Sequence, residues 1–300
     1  MIKKNYRSGF IAIVGEPNVG KSTLLNTILQ KKIAIVTHKP QTTRNRILGI
    51  LTNDDYQMIF IDSPGIHKAK QELDRHLNRT ALQSTKGVEV ICWLVNSYES
   101  INNNHQYIFK SLQERDIPIF LILTKIDLIK DDVLKTKIKE WDRSFNFKEI
   151  IPISCLKNVN INSFLKKIAE NLPLGPQYFP KETITEQKDD FYIKEIIREK
   201  ILLLLHQEVP HGVAIMVEEF SRDEKKGLIR VRAVIIVERD SQKGILIGNR
   251  GMMIKNIGIN SRKELEEIFG HQFFLDLYVK VIKDWRQNSN ILVKLGYGKK

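Results

Sequence analysis

The chain has few cysteines and no long hydrophobic run, and both absences narrow the protein classes to consider. Two cysteines, Cys92 and Cys155, occur among 300 residues. They are too few for a disulfide framework, so we expect a reduced, cytoplasmic protein. The longest aliphatic run, residues 201–205, has five residues, whereas a transmembrane helix needs about 20 apolar residues. Residues 1–6 leave no room for a signal peptide before the first predicted strand, so we expect no secretory signal.

Charge is abundant and mostly positive. Charged residues make up 28% and hydrophobic residues 42% of the chain, which indicates a globular protein of about two domains. The net charge of +13 suggests a nucleic-acid partner. Most of this charge lies before residue 176, so the overall charge does not locate a binding site. A local cluster is more informative, because residues 239–263 contain six basic residues and only one acid, Asp240.

Up to about Leu172, strand-like apolar runs alternate with helical segments. This alternation predicts an α/β domain with a mostly parallel sheet, whose ligands bind at the carboxyl ends of the strands. The proline-containing stretch that follows predicts a linker. We therefore expect a first domain at residues 1–172, a linker at 173–188 and a second domain at 189–300. The predicted strands of the first domain are 10–14, 47–52, 56–61, 88–95, 117–123 and 149–153.

The segment GEPNVGKS, residues 15–22, matches the phosphate-binding pattern GxxxxGK[ST] without a mismatch. It lies between a predicted strand and a predicted helix. Backbone N–H groups of such a loop surround phosphate oxygens, and the helix N-terminus adds positive potential. Lys21 supplies charge for the terminal phosphates, and the Ser22 hydroxyl is placed to bind Mg²⁺. The predicted nucleotide contacts are Gly15, Glu16, Pro17, Asn18, Val19, Gly20, Lys21 and Ser22.

Three further motifs follow predicted strands and favour guanine over adenine. In DSPG, residues 62–65, Asp62 holds Mg²⁺ and the Gly65 N–H meets the γ-phosphate. In TKID, residues 124–127, the Asp127 carboxylate accepts two hydrogen bonds that adenine does not offer. In SCL, residues 154–156, small residues let backbone N–H groups reach the guanine oxygen. These motifs add Asp62, Ser63, Pro64, Gly65, Ile66, Thr124, Lys125, Ile126, Asp127, Ser154, Cys155 and Leu156 to the predicted contacts.

The four elements in this order resemble the translation-factor-related branch of the small GTPase superfamily. The polar stretch 37–46 then occupies the position of a switch, where a threonine completes the Mg²⁺ shell while the γ-phosphate is present. The resemblance favours Thr43 over Thr42, although the residues alone leave that choice open. We interpret Arg44 and Arg46 as a solvated basic loop rather than as catalytic arginines.

Position 66 departs from the GTPases that orient the attacking water with a glutamine, because Ile66 has no polar side-chain atom. GTPases similar to this one use an asparagine at the position of Asn18 to hold K⁺ near the β- and γ-phosphates, which is one interpretation of Asn18. The alternative is that Asn18 only adopts a loop conformation that asparagine tolerates. His67 is expected to be an exposed switch residue. The predicted catalytic residues are Asn18, Lys21, Thr43 and Gly65, and the predicted metal ligands are Ser22, Thr43 and Asp62.

The second domain contains GNRG, residues 248–251, with helical sequence on both sides. A GxxG loop between two helices clamps about four nucleotides of single-stranded RNA in KH domains. The order strand–strand–helix–loop–helix–strand and the basic cluster predict a smaller α+β KH domain of type II. The alternative is a glycine helix cap followed by a second helix start. The predicted RNA contacts are Lys243, Gly248, Asn249, Arg250, Gly251 and Lys255.

With GEPNVGKS, PQTTR, DSPGI, TKID, SCL and GNRG in this order, the chain resembles the Era family of bacterial GTPases over essentially its whole length. The resemblance implies GTP or GDP, Mg²⁺ and K⁺ as ligands. It implies a monomer that binds the 3′ end of small-subunit rRNA and assists small ribosomal subunit maturation. It also implies a cytoplasmic protein that associates partly with the inner membrane.

Two residues depart from the family pattern. Thr124 stands where such proteins often have asparagine, and Cys155 where alanine is common. Thr124 lacks an amide that braces the phosphate-binding loop, which predicts a lower affinity for nucleotide. Two other functions stay open at this point. Asp127 argues against an ATP-driven RNA remodelling factor, whereas Ile66 leaves a non-hydrolysing nucleotide-binding scaffold possible.

Overall fold

The computed structural model describes residues 5–69, 71–113, 115–205 and 209–297. The chain divides into two compact units, one that extends to residue 186 and one that starts at residue 187. Residues 71–73 are grouped with the second unit. Each unit has its own sheet, one of six strands and one of three.

The first unit is an α/β fold with a mostly parallel sheet, as the sequence predicts. Its strands run β1 (Arg7–Gly15), β2 (Ile47–Thr52), β3 (Tyr56–Asp62), β4 (Val90–Asn96), β5 (Ile119–Thr124) and β6 (Glu149–Pro152). Its helices are α1 (Lys21–Leu29), α2 (Glu72–Gln83), α3 (Asn103–Gln113), α4 (Asp131–Ser144) and α5 (Ile161–Glu170). The strand order is β2-β3-β1-β4-β5-β6. The β2–β3 pair is antiparallel and the other pairs are parallel.

The central strands β4 and β5 are almost entirely apolar, because helices cover both faces of a parallel sheet. β4 and β5 are buried at every position. On one face, the Trp93 and Trp141 rings meet edge to face with centroids 5.5 Å apart. The register pairs Ile13 with Asp62 and Asn96 with Thr124. The carboxyl ends of β1, β3, β4 and β5 therefore lie along one edge of a well-packed sheet.

Residues 173–184, part of the expected linker, lie against the first unit, and we call this segment the strap. The buried side chain of Gln57 accepts the backbone N–H groups of Tyr178 and Phe179, at 2.7 and 3.0 Å. Its amide group donates to the Phe179 carbonyl at 2.8 Å. On β2, the Ile50 N–H donates to the Ile184 carbonyl at 2.8 Å. The chain thus stays fastened to the first unit for about twelve residues beyond the predicted domain end.

The second unit has the element order of a type II KH domain. Its strands are β7 (Ala214–Asp223), β8 (Leu228–Val237) and β9 (Gln272–Val281). Its helices are α6 (Asp189–Leu204), α7 (Asp240–Ile247), α8 (Met252–Phe269) and the unpredicted short α9 (Ser289–Lys294). β8 is central, antiparallel to β7 and parallel to β9, so β9 forms an edge of this sheet. No helix in the described ranges of the chain has the length and apolarity needed to cross a membrane.

Candidate nucleotide-binding and RNA-binding sites

The GEPNVGKS segment forms a loop between β1 and α1 that depends on two glycines. Gly15 has a φ of +146°, and a Cβ there would lie 2.4 Å from the Leu94 carbonyl oxygen. Gly20 has a φ of +94° and begins α1. Asn18 has a φ of 64°, a left-handed conformation that asparagine tolerates better than most residues. Its side-chain amide donates to the His38 carbonyl at 2.8 Å, so this loop residue is bonded to the switch stretch.

Lys21 lies at the start of α1 and is buried, with 5% of its surface exposed. Its ammonium group donates to the carbonyls of Glu16, at 2.7 Å, and Gly15, at 3.3 Å. Burial lowers the pKa of Lys21 to about 8, an effect that the carboxylates of Asp62 and Glu16 oppose. A polyphosphate in this loop would strengthen the charged form of Lys21 further, because an anion nearby stabilises an ammonium ion.

Three oxygen-bearing side chains meet beside Lys21. The Ser22 hydroxyl lies 2.7 Å from the Thr43 hydroxyl and donates to Asp62 Oδ2 at 2.6 Å. Burial raises the pKa of Asp62 to about 6, against the opposing charge of Lys21. Asp62 Oδ1 is buried and has no hydrogen-bond partner among the described residues. A carboxylate with a free oxygen and two adjacent hydroxyls fits Mg²⁺, a hard cation that prefers oxygen ligands.

The structure separates the two candidate threonines of the switch stretch. The Thr42 hydroxyl donates to the Lys39 carbonyl at 2.6 Å and lies 2.7 Å from the Thr37 hydroxyl. Thr43 instead turns towards Ser22. Thr43 is therefore the threonine that shares the oxygen cluster with Asp62.

Two interpretations of the switch residues were wrong. Arg44 is only 2% exposed, so it is not part of a solvated loop, whereas Arg46 is exposed as expected. His67 is half-buried rather than exposed. Its Nδ1 lies 3.2 Å from the Gly65 carbonyl, and its hydrogen bond to Asp74 raises its pKa. Neither burial was evident from the sequence, because both side chains are enclosed by segments distant along the chain.

Gly65 and Ile66 hold the end of β3 against the phosphate loop. A Cβ on Gly65 would lie 2.5 Å from the Pro17 backbone nitrogen, so only glycine allows this approach. The Ile66 N–H donates to the Gly15 carbonyl at 3.0 Å. The Ile66 side chain is fully buried and packs in the hydrophobic cluster around Trp93. Ile66 is thus a core residue, and its side chain is not directed at the nucleotide cavity.

The TKID and SCL motifs lie side by side at the ends of β5 and β6. Lys125 has a left-handed φ of 58°, and its ammonium group donates to the Asn18 carbonyl at 2.8 Å. It also lies 5.8 Å from the centre of the Tyr98 ring. The Ser154 hydroxyl donates to Asp127 Oδ1 at 2.5 Å, which fixes the carboxylate. Burial raises the pKa of the neighbouring Cys155 thiol to about 11, which disfavours its nucleophilic thiolate form.

Thr124 keeps a bond to the phosphate loop, contrary to the expected loss of the brace. Its hydroxyl lies 2.8 Å from the Val19 carbonyl and 3.1 Å from the Val95 carbonyl. A hydroxyl has one proton where an amide has two, so Thr124 supplies one donor between β4 and the loop. The fall in nucleotide affinity stays a prediction, and the contact of this hydroxyl with Val19 argues against it.

The motifs border one cavity of about 570 Å³. The predicted residues that line it are Pro17, Asn18, Gly20, Lys21, Ser22, Thr43, Gly65, Thr124, Lys125, Asp127, Cys155 and Leu156. The other predicted residues, Asp62 among them, do not line it. Ser63, for example, is buried and donates to the Ile13 carbonyl at 2.9 Å, and the Ile126 N–H donates to Ile153. Sequence reasoning did not name Thr23, Tyr98, Leu128 and residues 35–36 as contacts, and it named residues 37, 38 and 41 only as part of the switch stretch. An aromatic residue just after a strand end was a usable signal for Tyr98.

A second group of titratable side chains lies beside the loop. His105 Nε2 is 3.7 Å from a Glu16 oxygen and 3.8 Å from a Glu99 oxygen, an arrangement that suggests metal ligands. However, the ring nitrogen Nδ1 of His105 accepts the Asn102 backbone N–H at 3.2 Å. In return, the Asn102 side-chain oxygen accepts the backbone N–H of His105. The neutral ring therefore carries its hydrogen on Nε2 and directs an N–H at the carboxylates. We interpret this set as a helix cap for α3, because a metal would need a free lone pair at Nε2.

The GNRG segment links α7 and α8 through a tight loop. Gly248 and Gly251 have φ values of +70° and +77°, and Arg250 has a left-handed φ of 49°. A Cβ on Gly248 would lie 2.7 Å from the Met253 Cβ. Asn249 and Arg250 are both exposed at the tip. The backbone of the loop is therefore accessible, with two donor side chains beside it.

A groove of about 370 Å³ lies next to this loop, between α8 and the edge strand β9. Of the predicted RNA contacts, Lys255 lines this groove, whereas Lys243 and residues 248–251 do not. Sequence reasoning missed the remaining lining residues, which include Ile254, Gly258, Ile259, Arg262 and residues 273–277. Its floor is apolar, and its charged lining residues are the basic Lys255 and Arg262 and the acidic Asp276. The outer edge of β9 has no neighbouring strand within the described sheet.

Comparisons with known proteins agree with this two-part arrangement. Residues 10–125 match the family described as 50S ribosome-binding GTPase, and residues 208–286 match the KH domain family. A protein named GTPase Era from Thermoanaerobacter sp. (strain X514) is 46% identical over 292 residues, which cover 97% of each chain. One of the same name from Clostridium botulinum (strain Alaska E43 / Type E3) is 43% identical over 295 residues, 98% of this chain and all of that one.

Two solved structures are similar to this chain with 34% sequence identity. In each case the match covers 98% of this chain and the whole of the other chain. One is a variant of Aquifex aeolicus Era bound to GDP·AlF4⁻, with a TM-score of 0.94. The other is Era in complex with MgGDPNP and nucleotides 1506–1542 of 16S ribosomal RNA, with a TM-score of 0.93.

Proposed function

The chain belongs to the Era family of GTPases, and from this premise we propose a GTP-driven switch that binds the 3′ end of small-subunit rRNA and assists maturation of that subunit. One observation carries the proposal: the phosphate-binding Lys21 and the guanine-selecting Asp127 line the same cavity. Relatives named GTPase Era match over the whole chain, so neither an ATP-driven remodelling factor nor a nucleotide-binding scaffold is favoured.

In the proposed site, the triphosphate lies along residues 15–22 with Lys21 at the β- and γ-phosphates. Ser22, Thr43 and Asp62 would hold Mg²⁺, which supplies charge neutralisation at the phosphates. The guanine ring would lie over the Lys125 stem, beside Tyr98, with its N1–H and amino group on Asp127. The Ser154 hydroxyl uses one lone pair of a carboxylate that has about four, so Asp127 keeps enough acceptor capacity for both donors of the base.

Hydrolysis without a glutamine is consistent with assistance by K⁺. We propose that Asn18 contributes to a K⁺ site together with carbonyls of the switch stretch, to which its amide is already bonded at His38. The cation would stabilise charge on the β- and γ-phosphates in the transition state. Turnover in KCl should exceed turnover in NaCl at equal ionic strength, and Asn18→Ala should abolish the difference. Equal rates of the unaltered protein in the two salts would contradict the K⁺ proposal.

The RNA site we propose is the GNRG loop with the groove beside it. The loop backbone would hold the phosphate chain, and Asn249 and Arg250 would donate to it. The apolar floor suits unstacked bases, while the open edge of β9 offers backbone donors and acceptors to their edges. Lys255 and Arg262 lie at the rim, where their charges would contact phosphates. Lys243 does not line the groove, and its contact with RNA stays a prediction.

Guanine selection is tested by the substitution Asp127→Asn. Asparagine keeps an acceptor for Ser154, so the fold should be unaffected. It places an amide donor against the guanine N1–H and amino group, and we expect the preference to move from GTP to xanthosine triphosphate, which presents a carbonyl in place of the amino group. Competition binding of GTP, ATP and xanthosine triphosphate measures this. Equal binding of ATP and GTP by the unaltered protein would refute the assignment.

The RNA role is tested by crosslinking to total RNA with GTP or GDP bound. We expect recovery of small-subunit rRNA that depends on GTP. The double variant Gly248→Asp/Gly251→Asp should lose RNA, because two carboxylates would repel the phosphate chain, while GTP binding is retained. Recovery of only mRNA or tRNA would contradict the proposed role. Monomeric action, a cytoplasmic location and partial association with the inner membrane stay predictions from the family resemblance.

A further inference from the structure

The first unit has a basic groove outside the nucleotide cavity, between α2 and α3. Its volume is about 460 Å³, and it shares no lining residue with the nucleotide cavity. The side chains of α2 and of the turn after it that line the groove recur at positions 75, 78, 79, 82, 83 and 86. This spacing of three and four residues describes a single stripe along one side of a helix. We call this feature the α2 groove.

The described lining of the α2 groove has four basic residues and none that is acidic. Arg75, Arg79 and Lys86 come from the stripe, and all three are exposed. Arg115, which follows α3, donates to the carbonyls of Leu82 and Thr85, both at 3.3 Å. Its guanidinium charge is thereby fixed at the C-terminal end of α2. The groove therefore presents a row of positive charges, one of which is held by two hydrogen bonds.

The length of this row favours a polyanion over a small anion. About eleven residues separate Arg75 from Lys86, which corresponds to roughly 16 Å along a helix axis. An inorganic phosphate spans only one of these positions, whereas a nucleic-acid strand carries a phosphate at every step. Arginine forks also match phosphate oxygens in a bidentate manner.

The opposite wall favours RNA over an acidic protein surface. Tyr107 of α3 lines the groove with 49% of its surface exposed. An exposed aromatic ring beside a row of positive charges is the combination on which unpaired bases stack. The Gln83 amide lies in the same stripe and offers a donor and an acceptor to base or ribose. The Asn78 amide instead bonds the His67 backbone at both its oxygen and its nitrogen.

We propose that the α2 groove is a second RNA-binding surface, which contacts the sugar-phosphate backbone of the rRNA through Arg75, Arg79, Lys86 and Arg115 and stacks a base on Tyr107. The proposal rests on the proposed function and extends it from the KH domain to the GTPase domain.

The test compares two double variants of the full chain that remove equal charge. Arg79→Gln/Lys86→Gln neutralises the α2 groove. Lys135→Gln/Lys139→Gln neutralises two exposed lysines on α4 and is the matched control. Affinity for nucleotides 1506–1542 of 16S rRNA, the fragment bound in the related structure, is measured from about 50 to 200 mM KCl. GTP binding of both variants, expected to equal that of the unaltered protein, verifies the fold.

Each phosphate contact contributes about 0.7 to 0.9 to the slope of log affinity against log salt concentration. Loss of two contacts should reduce the slope by about 1.4 to 1.8. The advantage of the unaltered protein over the groove variant should therefore shrink by about 7- to 12-fold between roughly 50 and 200 mM salt. The control variant should keep the original slope. Ultraviolet crosslinking should also yield a peptide that contains Tyr107 attached to a nucleotide.

The two proposals fail in different ways. If the groove variant and the control show the same slope as the unaltered protein, and no crosslink forms at Tyr107, the α2 groove is not an RNA surface. If Gly248→Asp/Gly251→Asp retains full RNA affinity, the KH-based function fails instead. A slope change of equal size in both charge variants would indicate non-specific attraction and would also overturn the proposal for the groove.

Discussion

The hydroxyl of Thr124 is expected to hold the phosphate loop to the sheet, and the substitution Thr124→Val tests this directly. Valine has nearly the same shape but no donor, so the Val19 carbonyl loses the partner that lies 2.8 Å away. A buried acceptor without its bond costs about 1–3 kcal/mol. If nucleotide binding carries the whole cost, the GDP dissociation constant should rise roughly 5- to 140-fold.

Two assays divide this cost between loop and fold. A fluorescent GDP analogue measures affinity, and calorimetry measures the melting temperature, which should fall by about 2–4 °C for each kcal/mol that the fold loses. Thr124→Ser keeps the hydroxyl and is the matched control. If Thr124→Val binds GDP like the unaltered protein and melts at the same temperature, the brace does not exist. If only the melting temperature falls, the hydroxyl serves Val95 of β4 rather than the loop.

Three further predictions concern the buried residues Gly65, Ile66 and Gln57. Gly65→Ala should slow single-turnover hydrolysis at least tenfold with GDP affinity nearly unchanged, since a Cβ would lie 2.5 Å from the Pro17 nitrogen; an unchanged rate would contradict the close contact. Ile66→Gln should destabilise the protein by about 1–3 kcal/mol in denaturant unfolding without raising turnover, because the amide enters the apolar core; faster hydrolysis would show that the side chain reaches the attacking water. Gln57→Leu should leave three backbone groups of the strap without hydrogen-bond partners. Trypsin cleavage after Lys181 should then be about tenfold faster, because the strap opens locally more often. The control Gln106→Leu, on the exposed side of α3, should leave the cleavage rate unchanged.

The sequence predicted the sheet and the motifs well because both depend on short segments. All six strands of the first unit were predicted, because each is a short, mainly apolar run, including the antiparallel edge strand β2. Gly15, Asp62 and Thr124 follow from their places at strand ends. The helical pattern that starts near Asp189 predicts a helix end at about Gln207. That position lies outside the described residues, and α6 ends at Leu204.

What the sequence did not reveal depends on contacts between distant segments. The choice of Thr43 over Thr42 is decided by Ser22, 21 positions away. Arg44 lies in a polar segment that is typical of an exposed loop, but its side chain is buried. The groove beside the GNRG loop combines α8 with the edge of β9, a pairing that no local pattern records. The linker prediction was reasonable from its prolines, yet Gln57 captures that segment from 122 positions away.

The strap has a consequence for synthesis of the protein. At a translation rate of about 5–20 residues per second, roughly 6–24 s separate the emergence of Gln57 from that of Phe179. During this interval the outer edge of β2 lacks Ile184, and an uncovered strand edge is prone to pair with another chain. The edge of β2 can therefore gain this contact only after translation has passed the predicted domain end. A chain that ends at residue 172 would lack it and would expose a strand edge that can pair with other chains.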